Sequence, residues 1–337
     1  MKSRNSSIEL LRIVATLMVI SLHCNKDILW VYEFHMQHIN RIFINIVETL
    51  SIVAVNIFVL ITGYFSISSK KIQWRKIFDL AFLSSFYGVG GYLLSIIIGH
   101  SDITFKELVS CVFPYLSGKD WFISMYIVLI ILSPYINKVI DSLTINSYRF
   151  LVLILVILFS VWPTISPYAP IDDQGYGIVS FVTIYVIGGY IRIEKNKNKL
   201  YYILMYILFS MLTCLRFTFI GGGLEYNSVL VIAASVALFN IFVNLKINSS
   251  VINYISKSAI AAYIIHTHPI LRPLIFVEIC NIDAYLDKYY FPIIYGIIII
   301  SIFMVCIVID FGRRYLFKKY IDVVLDKIKL INKVTNI

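Results

Sequence analysis

Charge is what this chain has least of. Asp, Glu, Lys and Arg make up 14% of its 337 residues, against 59% for hydrophobic types. A soluble domain carries about a quarter charged residues, so the balance excludes an ordinary soluble globule. Cysteine patterns are missing too. Cys24, Cys111, Cys214, Cys280 and Cys306 are scattered, mostly in or beside apolar runs, without CxxC spacing. Neither a zinc site nor a disulfide framework is indicated. The chain also has no GxSxG, no P-loop and no GxGxxG, so no soluble hydrolase or nucleotide-binding signature competes. It has no internal repeat, low-complexity tract or linker, and no predicted loop longer than about 25 residues, so no hidden soluble domain is expected.

What the chain does have is long apolar runs. Stretches such as IIYGIIIISIFMVCIVI at 293–309 are unbroken, which suits helices and not the alternating segments of a membrane β-barrel. The expected fold is an all-α polytopic membrane protein with about ten transmembrane helices. The spans fall at 8–28, 42–65, 77–99, 120–140, 149–165, 177–193, 200–220, 227–246, 252–276 and 290–316. With both termini cytoplasmic, the inside segments hold about three times as many Lys and Arg as the outside ones. The net charge of +10 therefore reads as membrane topology, and nucleic acid is not an expected partner. The first span is read as a retained helix, not a signal peptide, because charge interrupts it and no small-residue cleavage site follows. Residues 1–317 form the membrane domain, and 318–337 a basic amphipathic tail on the cytoplasmic leaflet.

The first span, IELLRIVATLMVISLHCNKD, is the one with inconvenient charges. Ionisable groups inside a span are costly and by default signal function. Eleven steps of about 100° separate Arg12 from His23, so both project from one helix face, roughly 16 Å apart along the axis. Glu9, Arg12, Thr16, His23 and Asp27 make one polar stripe. His23 suits general base work near neutral pH. Arg12 can clamp a phosphate or carboxylate from the cytoplasm.

Other candidates are spread along the chain. Glu48 falls at a depth similar to His23 and is expected to orient its imidazole; an interfacial acid is the bland alternative. Asn56 lies near mid-membrane, where an amide usually bonds a neighbouring helix. Lys70, Lys71, Arg75 and Lys76 form a cytoplasmic cluster suited to anionic phosphates, or merely to fixing topology. Trp121 and Tyr126 open the fourth span, and an aromatic belt would account for them without function. His266 sits near mid-membrane. His268 is about 200° away on a helix, so the two do not chelate one metal from a regular helix. His35 and His38 have i,i+3 spacing in a loop with no further ligand. No metal site is expected.

The opening RNSSIELLRIVATLMVISLH resembles the signature of the acyltransferase-3 family of bacterial integral membrane acyltransferases. The shared features are a basic residue, an acidic-x-x-Arg pair and an Arg-x10-His spacing, here Arg4, Glu9, Arg12 and His23. NIFVLITGYF at 56–65 resembles the family's aromatic-rich segment, with Thr62 where serine is usual. KDWFISMYI at 119–127, YVIGGYIR at 185–192 and ISKSAIAAYIIH at 255–266 resemble later segments. The family's RxxR element has its counterpart in Lys70, Lys71, Arg75 and Lys76, without that spacing.

The resemblance implies transfer of an acyl group, commonly acetyl from acetyl-CoA, to a hydroxyl of a cell-surface polysaccharide or its lipid-linked precursor. It implies a bacterial cytoplasmic-membrane location, His23 as the catalytic histidine and Arg12 as its partner. Acetyl-CoA would be a donor substrate, with no permanently bound cofactor. Whether His23 acts as base or takes the acetyl group itself stays open at this point. Glu9, Asn56, Trp121, Tyr126 and His266 are the expected substrate contacts. Some relatives add an extracytoplasmic SGNH domain; this chain would act alone or with a separate extracytoplasmic partner. The alternative reading is a transporter or flippase for a lipid-linked oligosaccharide, with buried polar groups lining its path.

Overall fold

The computed structural model describes residues 4–32, 36–166, 168–194, 198–269 and 271–334, with side chains described outside 28–32 and 318–334. The His35 half of the HMQH pair and the side chains of the basic tail lie outside the described residues. The chain is 77% helical, and the described residues include no strand. Among the described residues, seven helices are long and apolar enough to cross a membrane: Ser6–Asp27, His38–Ser66, Trp74–Ile97, Trp121–Asp141, Ile145–Ile165, Lys199–Phe219 and Phe291–Phe317. This is a multi-pass membrane protein.

Three of the ten predicted spans take another form. The one expected at 252–276 is two segments, Ser250–Thr267 and Leu271–Tyr285, bent by 96°. His268, at ψ 123°, has left the helix, and Pro269 follows it without an N–H to continue the ladder. The spans expected at 177–193 and 227–246 are the short apolar helices Ile178–Ile193 and Val229–Val243. A loop shortens the second. The side-chain amide of Asn56, near the middle of His38–Ser66, donates to the Tyr226 carbonyl at 2.8 Å, so the loop before Val229 dips well into the bundle. Asn56 therefore serves a loop and not a neighbouring helix.

The site is organised by α1 (Ser6–Tyr32) and by α3 (Ala54–Ser66), which continues α2 (His38–Ser51) after a two-residue turn. These inner spans are 61% and 72% buried, against 11% for α10 (Lys199–Phe219), whose outward face is left to lipid. Gly63 on α3 and Gly188 on α9 (Ile178–Ile193) let the two backbones meet. A Cβ at 188 would stand 2.5 Å from the Leu60 carbonyl oxygen, and one at 63 would strike the Tyr185 carbonyl. The Asn5 side chain caps α1 by accepting from Ser7 N–H at 3.1 Å. Ser7 then donates to the Leu245 carbonyl at 2.9 Å and accepts from Ile247 N–H at 3.1 Å, clasping α1 to the chain after α11 (Val229–Val243). At the other end, Asn40 donates to the Leu286 and Lys288 carbonyls at 2.8 Å. This ties α2 to the approach of α15 (Phe291–Val334).

Candidate active site

His23 sits about one turn from the end of the apolar part of α1, half-buried, on the wall of a cavity of about 580 Å³. Its Nδ1 is 3.0 Å from Nε2 of His266, on α13 (Ala259–Thr267). His266 is fully buried, and its own Nδ1 is 2.6 Å from the Ala262 carbonyl oxygen. The two histidines are 243 residues apart in sequence and meet because α13 packs directly along α1.

Aromatic rings and charges line the cavity around them, among them Glu48, Trp121, Tyr176, Tyr226, Lys119 and Arg272. Trp121, the first residue of α6 (Trp121–Asp141), lies 4.6 Å from Tyr176 and stacks at 5.9 Å on Tyr226, centroid to centroid. Tyr226 is brought in by the dipping loop, and burial pushes both tyrosine hydroxyls above their ordinary pKa. On the rim, Arg272 holds Asp27 through two hydrogen bonds, one of 2.9 Å from Nε. That clamp joins the end of α1 to the far side of the 96° bend. Lys119 is paired with Glu107, which lies on α5 (Phe105–Val112). Burial opposes the Lys119 charge, but the Glu107 hydrogen bond and the pull of Cys111 and Glu107 together outweigh it and hold the ammonium above its usual pKa. The same bond holds Glu107 below the ordinary carboxylate range.

Glu48 lines the cavity but does not orient His23. It accepts a 2.7 Å bond from the Asn25 side chain, whose oxygen in turn accepts from the Tyr295 hydroxyl at 2.7 Å. The ring on His23 is His266, which the sequence reading put among the substrate contacts. Asn56 reaches the cavity wall only through the Tyr226 backbone.

The remaining expected residues gather at the opposite end of the bundle. Arg12 lies 3.7 Å from Glu9, which is also 3.6 Å from Arg4; Arg12 Nε is buried without a hydrogen-bond partner. Of the four clustered cations only Lys76 turns inward, near the start of α4 (Trp74–Ile97). It donates to the Tyr126 hydroxyl at 2.7 Å. Thr62 donates to the Phe58 carbonyl at 2.9 Å, so the 2.5 Å contact between Thr62 and Tyr126 is a donation by the tyrosine. Lys70, Lys71 and Arg75 are exposed. Between the two polar ends runs an aromatic column. Tyr126 stacks on Phe122 at 5.5 Å, Phe122 meets Tyr263 at 5.4 Å, and Tyr263 lies 6.1 Å from His266.

Sequence reading missed Tyr176, Tyr226 and Arg272. Arg272 carried a usable signal, being a cation directly before Pro273 in an apolar region, with Asp27 as an available counter-ion in the polar stripe. The tyrosines carried none, in a chain with 24 of them. Among the described residues, no three His, Cys, Asp or Glu side chains gather as a metal-ligand set.

A multi-pass helical bundle with a histidine pair at the wall of an aromatic cavity, and a cationic node at its other end, has the outline of a membrane enzyme. The family described as acyltransferase domain, acyltransferase-3, matches residues 5–311. The chain belongs to that family and is a membrane acyltransferase. No match was found among curated proteins or among solved structures.

Proposed function

We propose that the protein moves an acetyl group from acetyl-CoA, arriving from the cytoplasm, to a hydroxyl of a cell-surface polysaccharide or its lipid-linked precursor, in a bacterial cytoplasmic membrane. The observation that carries this reading is a paired histidine on the wall of a cavity faced with Trp121, Tyr176 and Tyr226. Aromatic faces suit the apolar faces of a sugar ring, and an imidazole suits removal of a hydroxyl proton. His23 is the general base. Arg12 and Lys76 are the cations best placed for the donor's phosphates, since one has a buried Nε that faces Glu9 at 3.7 Å without a hydrogen bond and the other faces into the bundle. Lys70, Lys71 and Arg75 add a screened, attractive field at the entrance. Both termini are cytoplasmic. A separate extracytoplasmic partner completes delivery where the final glycan is remote from the membrane.

The test is glycan NMR on cells carrying His23→Ala at wild-type membrane levels. Loss of O-acetyl signals with the glycan still present supports the reading. Full acetylation contradicts the role of His23, and loss of the surface glycan itself indicates a transporter.

A further inference from the structure

General base catalysis needs a bare ring nitrogen on His23 turned toward the acceptor. The neighbours of the ring decide which nitrogen that is. His266 Nδ1 lies 2.6 Å from the Ala262 carbonyl oxygen. A carbonyl only accepts, so Nδ1 of His266 carries the proton and its Nε2 is the acceptor of the neutral ring. His23 Nδ1 is 3.0 Å from that acceptor, so it is His23 Nδ1 that donates. Nε2 of His23 is left with its lone pair. The opposite arrangement needs either two acceptors facing each other or an imidazolium at His266. His266 is 0% exposed, and among the described residues no carboxylate hydrogen-bonds either ring, so a cation there is strongly disfavoured.

We propose that His266 is a positioning residue that locks His23 in the Nδ1–H tautomer and leaves Nε2 as the base; this rests on the reading of His23 given above. A hydroxyl of the acceptor gives its proton to His23 Nε2 as its oxygen bonds to the acyl carbon of a thioester donor. The carbon–sulfur bond breaks, and the proton passes from Nε2 to the leaving thiolate, restoring neutral His23. Throughout, Nδ1–H stays on His266, and that bond strengthens while His23 is an imidazolium. A carboxylate partner would orient the ring equally well but add a second buried charge within the membrane. A neutral imidazole orients without that cost.

The test compares His266→Leu, which fills the space and removes the acceptor, with His266→Gln, which keeps an amide oxygen within reach of His23. The assay is transfer from radiolabelled acetyl-CoA to the host's membrane glycan fraction. The leucine variant is expected to lose about 100-fold or more in kcat. Its KM for acetyl-CoA should change by less than about twofold, and the glutamine variant should recover at least about a tenth of wild-type kcat. In 15N NMR of histidine-labelled protein in nanodiscs, the His23 signal is the one lost in His23→Ala. It should show Nδ1 protonated and Nε2 bare in wild type and in His266→Gln. Wild-type kcat in His266→Leu, or a protonated Nε2 on His23 in the resting wild type, overturns the proposal. If the leucine variant does not fold, the wild-type spectrum and the glutamine variant decide alone. A fully active His23→Ala would sink the base itself, whereas a dead His23→Ala beside a fully active His266→Leu sinks only the role of His266.

Discussion

At the scale of single residues, the site separates into two polar nodes joined by rings. His23 and His266 sit at the cavity, and Lys76, Tyr126 and Arg12 at the other end, with Phe122 and Tyr263 between. The second node is where the donor's anionic half is expected. Lys76→Met removes the inward-facing cation and should raise the KM for acetyl-CoA by about tenfold, the equivalent of about 1.4 kcal/mol. Tyr126→Phe removes the hydroxyl that fixes Lys76 and should raise it by less, about threefold to tenfold. Substrate-dependent initial rates measure both, and unchanged KM values in the two variants would place the donor elsewhere. The polar stripe on α1 was readable from spacing alone, since Arg12 and His23 share a face in any straight helix. The ring that holds His23 was not. His266 lies 243 residues away, and no periodicity links two helices that meet only after folding. Glu48 fell to the same difficulty: depth in the membrane was legible, but which neighbour it would meet was not.

At the scale of elements, the close contact of α3 with α9 sets the walls behind the site. It depends on Gly63 and Gly188, where a side chain would run into the opposite backbone. Gly63→Ala forces the helices apart and should destabilise the fold by about 1–3 kcal/mol, seen as a lower thermal midpoint in detergent. An unchanged midpoint would mean that the contact is not close-packed. The 96° bend after Thr267 carries Arg272 onto Asp27 at the cavity rim. Asp27→Asn weakens that clamp, leaving one hydrogen bond from the guanidinium to a neutral amide oxygen in place of the bidentate ion pair. It is expected to speed limited proteolysis in the 271–290 region while leaving the seven long helices intact. Hydropathy located the long spans because about 20 apolar residues leave few other solutions. It bounded 178–193 to within a residue but overran at 227–246, where the helix is Val229–Val243, since the loop before it dips into the bundle, and that depth is set by partners such as Asn56 that composition does not mark.

At the scale of the whole molecule, the account needs two faces: a donor side at Lys76 and Arg12, and an acceptor side at His23. Ser68 and Ser117 are exposed on the two sides it predicts. In a cysteine-free background, an impermeant maleimide should label Ser117→Cys in intact cells, and Ser68→Cys only after the membrane is opened. The reverse pattern would put the cavity on the cytoplasmic side and end the two-face scheme. The claim that binds these scales together is that His23 carries acetyl transfer. Membranes supplied with radiolabelled acetyl-CoA measure it most directly. Wild-type protein should label a glycan or lipid-linked saccharide fraction, and His23→Ala at equal abundance should cut that labelling by at least about 100-fold. Labelling that survives the substitution, or that never leaves the thioester pool in wild type, would contradict the account.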